Sequence, residues 1–211
     1  MKMLKQRTPE WEAARLGKAT ASRIADVIAK TKSGYAASRA NYAAELVCER
    51  LTGAKAEAYE SPAMRWGAEK EAEALALYAF EQDADVTLIG FLDHPKIAMS
   101  GASPDGLVGD VGLVEVKCPM TATHIETLLG QAPQTRLLAQ MQWQMAVSGR
   151  AWCDFVSYDP RLPLPMRLFV RRIQRETALI TALEREVRTF LAEVEATVDR
   201  LSGLSTISEA A

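Results

Sequence analysis

Few folds can accommodate Ser103-Pro104-Asp105-Gly106 followed, nine residues on, by Glu115-Val116-Lys117. Leu113 to Lys117 is a run rich in β-forming residues. Glu115 and Lys117 should therefore point to one face of a strand, and Val114 and Val116 to the other. Leu107-Val108 and Leu113-Val114, with Gly109-Asp110-Val111-Gly112 between them, read as the two arms of a hairpin. Closing that hairpin brings Asp105 toward the Lys117 end of the second arm. Two carboxylates and an ammonium then converge.

Such a trio suits phosphodiester cleavage. Hard carboxylate oxygens match Mg²⁺, which prefers near-octahedral oxygen coordination and keeps several waters. A second ion roughly 3.5–4 Å away would stabilise both the attacking and the leaving oxygen. Lys117 would orient the attacking water and help deprotonate it, since lysine pKa values shift readily on burial. The same residues also describe a surface hairpin with an ordinary Glu–Lys pair and an Asp-Gly turn, and spacing alone leaves both open.

Upstream, Ser61-Pro62 reads as an N-cap with proline in the first turn of a helix from about Ala63 to Glu81. Ala68, Ala72, Leu75 and Ala79 form its apolar stripe, and Glu71 falls between Leu75 and Tyr78 on that inward side. A carboxylate there is costly unless paired or bound to a cation. Glu71 is thus a third metal ligand, or else half of a salt bridge with an Arg or Lys elsewhere. Met64, two turns earlier, should lie near the same site.

Taken in order, these segments resemble the lambda exonuclease family, the YqaJ-like phage recombinases of the PD-(D/E)XK nuclease superfamily. Trp11 to Ser22 is similar to that family's W-x3-R-L-G-x2-T-A-S opening, and Trp66-Gly67 with Glu71 to its W-G-x3-E. Ser103 to Gly106 and Glu115 to Pro119 are the core motifs. Ala139 to Gln142 resembles the Q-x-Q element, and Tyr158 to Arg161 the Y-D-P-R. The resemblance covers about residues 7 to 200.

It implies a Mg²⁺-dependent exonuclease, with two ions and Mn²⁺ able to substitute. Such an enzyme digests the 5′-ended strand of linear duplex DNA to mononucleotides and leaves a 3′ overhang for recombination by single-strand annealing. By resemblance, Glu71, Asp105, Glu115 and the Val116 carbonyl hold metal, Lys117 is the catalytic lysine and Gln140 supports it. Arg15, Ser22 and Ser103 match a pocket for the 5′-phosphate, and Met64 a wedge at the terminal base pair. Leu137 stands where the family has a tyrosine, which removes any tyrosine contribution. A ring-shaped homotrimer, a single-strand annealing partner and a phage or prophage origin in a bacterial cytoplasm belong to the same expectation. The alternatives are a restriction-like or junction-cleaving endonuclease on the same core, and a non-catalytic DNA-binding protein.

Charge is distributed unevenly. The formal net charge is −2, yet residues 1–39 hold nine Lys and Arg against Glu10, Glu12 and Asp26. This excess of +6 leaves −8 for the rest, and suggests a basic DNA-facing arm that includes Arg15 and Lys32. Cys48, Cys118 and Cys153 are far apart, which disfavours a structural zinc and suits a reducing compartment. His94 and His124 read as surface or turn histidines, and the four tryptophans mostly as core. No run approaches the ~20 apolar residues of a membrane span.

The coarse pattern is helical to about residue 82, with a catalytic core over about 83–201 and a frayed tail from 202 to 211. Helices are expected from Thr8-Pro9, from Thr20, from near Ser38 to Gly53, over Gln134–Ser148 and over Glu176–Leu201. Strands are expected at Val86–Leu92, Lys96–Met99, Leu107-Val108, Leu113–Lys117, Trp152–Tyr158 and Arg167–Ile173. This pattern predicts one α/β nuclease domain with a restriction-endonuclease-like core: a mixed central sheet flanked by helices and a helical N-terminal subdomain.

Overall fold

A computed structural model describes residues 5–55 and 61–208. Lys2 of the basic segment and positions 209–211 of the expected tail lie outside the described residues. The first helix, α1 (Pro9–Arg15), is capped by the Thr8 hydroxyl, which accepts the Trp11 amide. β1 (Ala19–Thr20) leads through a 3₁₀ turn (Ala21–Arg23) into α2 (Ile24–Ile28). The helix expected at Thr20 is therefore a single tight turn and a five-residue helix. The Thr20 amide is satisfied by the Tyr42 hydroxyl at 3.0 Å. A small hairpin, β2 (Lys30–Thr31) and β3 (Gly34–Tyr35), precedes α3 (Ala37–Thr52), which ends where Gly53 takes a left-handed φ of 66°.

The cap foreseen at Ser61 opens α4 (Pro62–Glu81), its side chain accepting the Met64 amide. The buried face of α4 carries Ala74, Leu75 and Tyr78, while Ala72 is exposed. The apolar stripe is thus rotated from the expected one, because the helix meets the sheet at Val114 and Val116. Leu75 and Tyr78 face inward as expected, whereas Ala72 does not.

The strands that follow divide between two sheets. β4 (Val86–Thr87), β7 (Gly106–Val108), β8 (Gly112–Lys117), β9 (Trp152–Tyr158) and β10 (Leu168–Gln174) form one, in the order β10-β9-β8-β7-β4. β5 (Leu92–Asp93) and β6 (Ser100–Ala102) join β1 in the other, in the order β1-β6-β5. Residues 96–99, expected as a strand, are instead a turn. His94 Nδ1 accepts the Lys96 and Ile97 amides, both at 3.1 Å, and so withdraws them from any ladder. His94 is buried, and the fully buried His124 on α5 (Thr121–Leu128) bonds Ser157 and the Met166 carbonyl. His94 is the turn histidine expected, though buried, while His124 is neither at the surface nor in a turn.

The hairpin forms as foreseen, but Gly112 joins the second arm: Gly106 lies opposite Val114, Leu107 opposite Leu113 and Val108 opposite Gly112. β8 and β9 are parallel and joined through α5 and α6 (Thr135–Ser148). α4 packs on one face of the five-stranded sheet. Leu113 and Phe155, on the opposite face, pack with Met141 and Met145 of α6 and Ile180 of the last helix, α7. That helix runs from Thr177 to Ser208, past the Leu201 end expected from its apolar repeat. Among the described residues no helix is long and apolar enough to cross a membrane.

Candidate active site

Strand alternation does what the sequence required. Val114 and Val116 enter the core beneath α4, and Glu115 and Lys117 face the other way. Glu115 is almost fully buried, and both of its oxygens are engaged. Gln140 Nε2 donates to Oε1 at 2.5 Å, Gln144 Nε2 donates to Oε2 at 2.6 Å, and the Lys117 ammonium also donates to Oε1. Gln140 and Gln144 lie one turn apart on α6, so a single helical face clamps the carboxylate. The role of Gln144 was missed, although its i+4 spacing from Gln140 was the available signal. Asp105, at the mouth of the hairpin, accepts the Val116 amide at 2.7 Å.

Electrostatics here are tense. Burial and neighbouring Glu115 raise the Asp105 carboxyl well above its usual range, and Lys117 offsets this only in part. Burial by itself would lower the Lys117 pKa, but Glu115 and Asp105 outweigh it and hold the ammonium charged. In this state Lys117 donates. The deprotonating role expected of it requires the two carboxylate charges to be offset first. Burial, with Glu71 and Asp105, pushes the Cys118 thiol up to about 12, which leaves it inert.

Glu71 reaches the cluster from α4. It contributes to the charge felt by Asp105, Lys117 and Cys118. Its Oε2, however, accepts from Arg7 Nη2 at 2.5 Å, and Arg7 Nη1 binds the Ala68 carbonyl at 3.1 Å. The salt-bridge alternative for Glu71 is therefore realised in this state. No sequence pattern pointed to Arg7, which lies 64 positions away. Arg7 has a left-handed φ of 64°, which costs a non-glycine residue on the order of 1 kcal/mol and is often met beside functional sites.

The donor set suits a hard divalent cation. Asp105, Glu115 and Glu71 supply only oxygens, and two of these carboxylates are buried together without enough positive charge. Among the described residues, no three His, Cys, Asp or Glu side chains are gathered tightly enough to enclose an ion as they stand. The engagement of Glu71 by Arg7, and of Glu115 by Lys117, Gln140 and Gln144, is the visible reason.

The residues expected to bind the 5′-phosphate are brought together by the parallel pairing of β1 with β6, Ala19 opposite Ser100 and Thr20 opposite Gly101. Ser22 and Ser103 leave these paired strands at the same end. Only glycine fits at 101, where a Cβ would come within 2.3 Å of the Leu92 carbonyl oxygen and the Phe91 ring. Ser103 Oγ accepts the Trp11 indole N–H at 2.9 Å and an Arg15 N–H at 3.3 Å, and the Arg15 guanidinium lies 4.1 Å from the Trp11 ring centroid. Glu12, which might have claimed Arg15, bonds Lys55 instead.

Two clefts meet here. One, of about 670 Å³, is lined by Glu71, Val116, Lys117, Ser22, Met64 and Leu137 among others. The adjoining one, of about 280 Å³, holds Arg15, and both share Trp11, Ser22 and Met64. Met64 is 58% exposed at the junction. Lys32 stands apart, in the turn of the β2–β3 hairpin. Much of the expected basic arm is neutralised: Lys18 pairs with Asp93, Arg23 with Glu45, Lys30 with Glu186 and Arg39 with Glu193. Tyr158 to Arg161 forms a brace, Asp159 accepting from Thr121 and Arg161.

Fold and site together are those of a nuclease with an α/β core. Residues 10–151 match the model of the YqaJ-like viral recombinase domain. The chain belongs to that family. Its structure is similar to the crystal structure of an alkaline exonuclease (LHK-Exo) from Laribacter hongkongensis, with 54% identity and a TM-score of 0.88 over 97% of this chain and 100% of that one. The structure of LHK-Exo in complex with dAMP matches equally well. A phage-related exonuclease from Haemophilus somnus 129PT shares the fold at 16% identity, with a TM-score of 0.71 over 87% of this chain and 96% of that one. A search of curated proteins gave no match.

Proposed function

We propose that this chain, a DNA exonuclease by family and fold, digests the 5′-ended strand of linear duplex DNA one nucleotide at a time. The carrying observation is the shared wall: the cleft that holds Arg15, Trp11 and Ser22, with Ser103 bonded to both Arg15 and Trp11, adjoins the one lined by Glu71 and Lys117. The dAMP complex of the Laribacter enzyme supports a mononucleotide product.

Asp105, Glu115, Glu71 and the Val116 carbonyl would hold Mg²⁺, with Mn²⁺ able to replace it. When bound, such an ion supplies charge stabilisation at the phosphoryl oxygens and a lowered water pKa. Gln140 and Gln144 hold the Glu115 carboxylate in one orientation, and the Val116 amide holds that of Asp105. Lys117 offers a charged donor to the attacking water or the scissile phosphate. Arg15 presents its planar fork to the terminal 5′-phosphate, and Ser22 and Ser103 add hydroxyl donors. Backbone groups at Thr20 contribute little, because only one 3₁₀ turn follows. Met64 would part the terminal base pair, and Lys32 would touch the flanking duplex.

A homotrimeric ring enclosing DNA fits the large exposed apolar side chains Phe80, Leu129 and Leu164, since closed rings are built from heterologous interfaces. Pairing with a single-strand annealing protein, for recombination in a bacterial cytoplasm, completes the reading. The test offers the protein four substrates: linear duplex with 5′-phosphate, linear duplex with 5′-hydroxyl, closed circle, and linear duplex in EDTA. Digestion of linear ends, fastest with 5′-phosphate and absent in EDTA, is expected. Cutting of closed circles would replace this reading with an endonuclease.

A further inference from the structure

Arg7 is the one contact in the site that works against the chemistry proposed for Glu71. Its guanidinium occupies one of the two Glu71 carboxylate oxygens, and its second nitrogen anchors it to the Ala68 carbonyl. The backbone at Arg7 is left-handed, so something other than local preference holds the residue there. The pair is not sealed: the side chains are 51% and 27% exposed. Partly solvated pairs of this kind are weak enough to exchange partners. Arg7 also has somewhere to go. With Ala68 and Glu71 it lines both the main cleft and another of about 600 Å³, whose other lining residues include Gln6, Leu88 and Asp105.

We infer that Arg7 is an internal countercation of the carboxylate site. It neutralises Glu71 while no divalent ion is bound and swings toward the second cleft when one arrives. Cation binding and Arg7 release are then a single exchange, and the site keeps a net charge its buried carboxylates can tolerate in both states. Arg7 is a positioning residue in this scheme, acting through Glu71. The inference rests on the metal reading above and adds to it a competitor carried by the chain itself.

Calorimetric titration of the full-length protein with Mn²⁺, without DNA, tests it. Arg7→Gln and Arg7→Gly both remove the charge, and glycine also accepts the left-handed backbone without strain. Both should bind Mn²⁺ more tightly, by about tenfold for the loss of one nearby positive charge. Arg7→Lys keeps the charge and should bind no more than about threefold tighter than wild type, by the same reasoning. Equal or weaker binding by Arg7→Gln and Arg7→Gly overturns the exchange while leaving the metal site standing. A wild type that takes up no Mn²⁺, and whose Glu71→Gln and Asp105→Ala variants behave identically, overturns the metal reading and the exchange with it.

Discussion

The two halves of the site are held in different ways. Glu115 sits on β8 and Asp105 in the bend just before β7, and both are fixed by short contacts from β8 and α6. Arg7, Arg15 and Glu71 come from the N-terminal segment and the α4 surface, and they meet across partly solvated contacts. Groups that must not move belong to the sheet. Groups proposed to select an end or yield to a ligand lie on more solvated segments, where changing partners is cheap.

The sharpest way to break this contrast is to alter the rigid half. Asp105→Ala, Glu115→Ala or Lys117→Ala should lower hydrolysis of a labelled linear duplex on the order of 10³-fold or more, with DNA affinity largely kept. Near-wild-type turnover in any of the three would remove the chemistry from this cluster. Changes in the softer half should redirect rather than abolish. Arg15→Ala should erase the preference for 5′-phosphate over 5′-hydroxyl ends, a loss of about 1.5–3 kcal/mol for a charged hydrogen bond. A mutant that keeps the full preference would reduce Arg15 to packing against Trp11.

The smallest effect concerns the turn that delivers β6. Burial lowers the His94 pKa, and its Nδ1 must stay unprotonated to accept two amides. Glu184 partly opposes the shift, while Arg188 and Lys96 reinforce it. A group whose folded pKa lies below its unfolded value of about 6.5 favours the unfolded chain when protonated. Stability should therefore be complete above that value and decline as pH falls below it. Urea midpoints of wild type and His94→Asn across pH 5 to 8 would read this, and a wild-type midpoint that rises on acidification would contradict it.

The sequence disclosed the rigid half best, because its determinants are local. A period-two strand and a tight turn act within a short stretch, and strand alternation alone fixes which face Glu115 takes, whereas Gln144 was passed over. The α4 cap was equally legible from Ser61-Pro62. Arg7 was not, since no periodicity links a residue before α1 to one on α4. Residues 96–99 misled because Ile97 and Met99 look like a strand, whereas His94, a few positions earlier, consumes the amides. α5 was hidden because its buried anchor is a histidine rather than a run of aliphatic residues.

The close approach at Gly101 has a consequence for the size of what is released. By pinning β6 against β5, it fixes the point from which Ser103 departs, and Asp105 follows only two residues later. Two residues reach at most about 7 Å along the chain, about twice the ~3.4 Å that separates phosphates of one strand along the duplex axis. On the proposed reading, a grip on the terminal phosphate at Ser103 and bond cleavage at Asp105 would be tied by covalent geometry. The spacing between them would then be set by two residues of backbone.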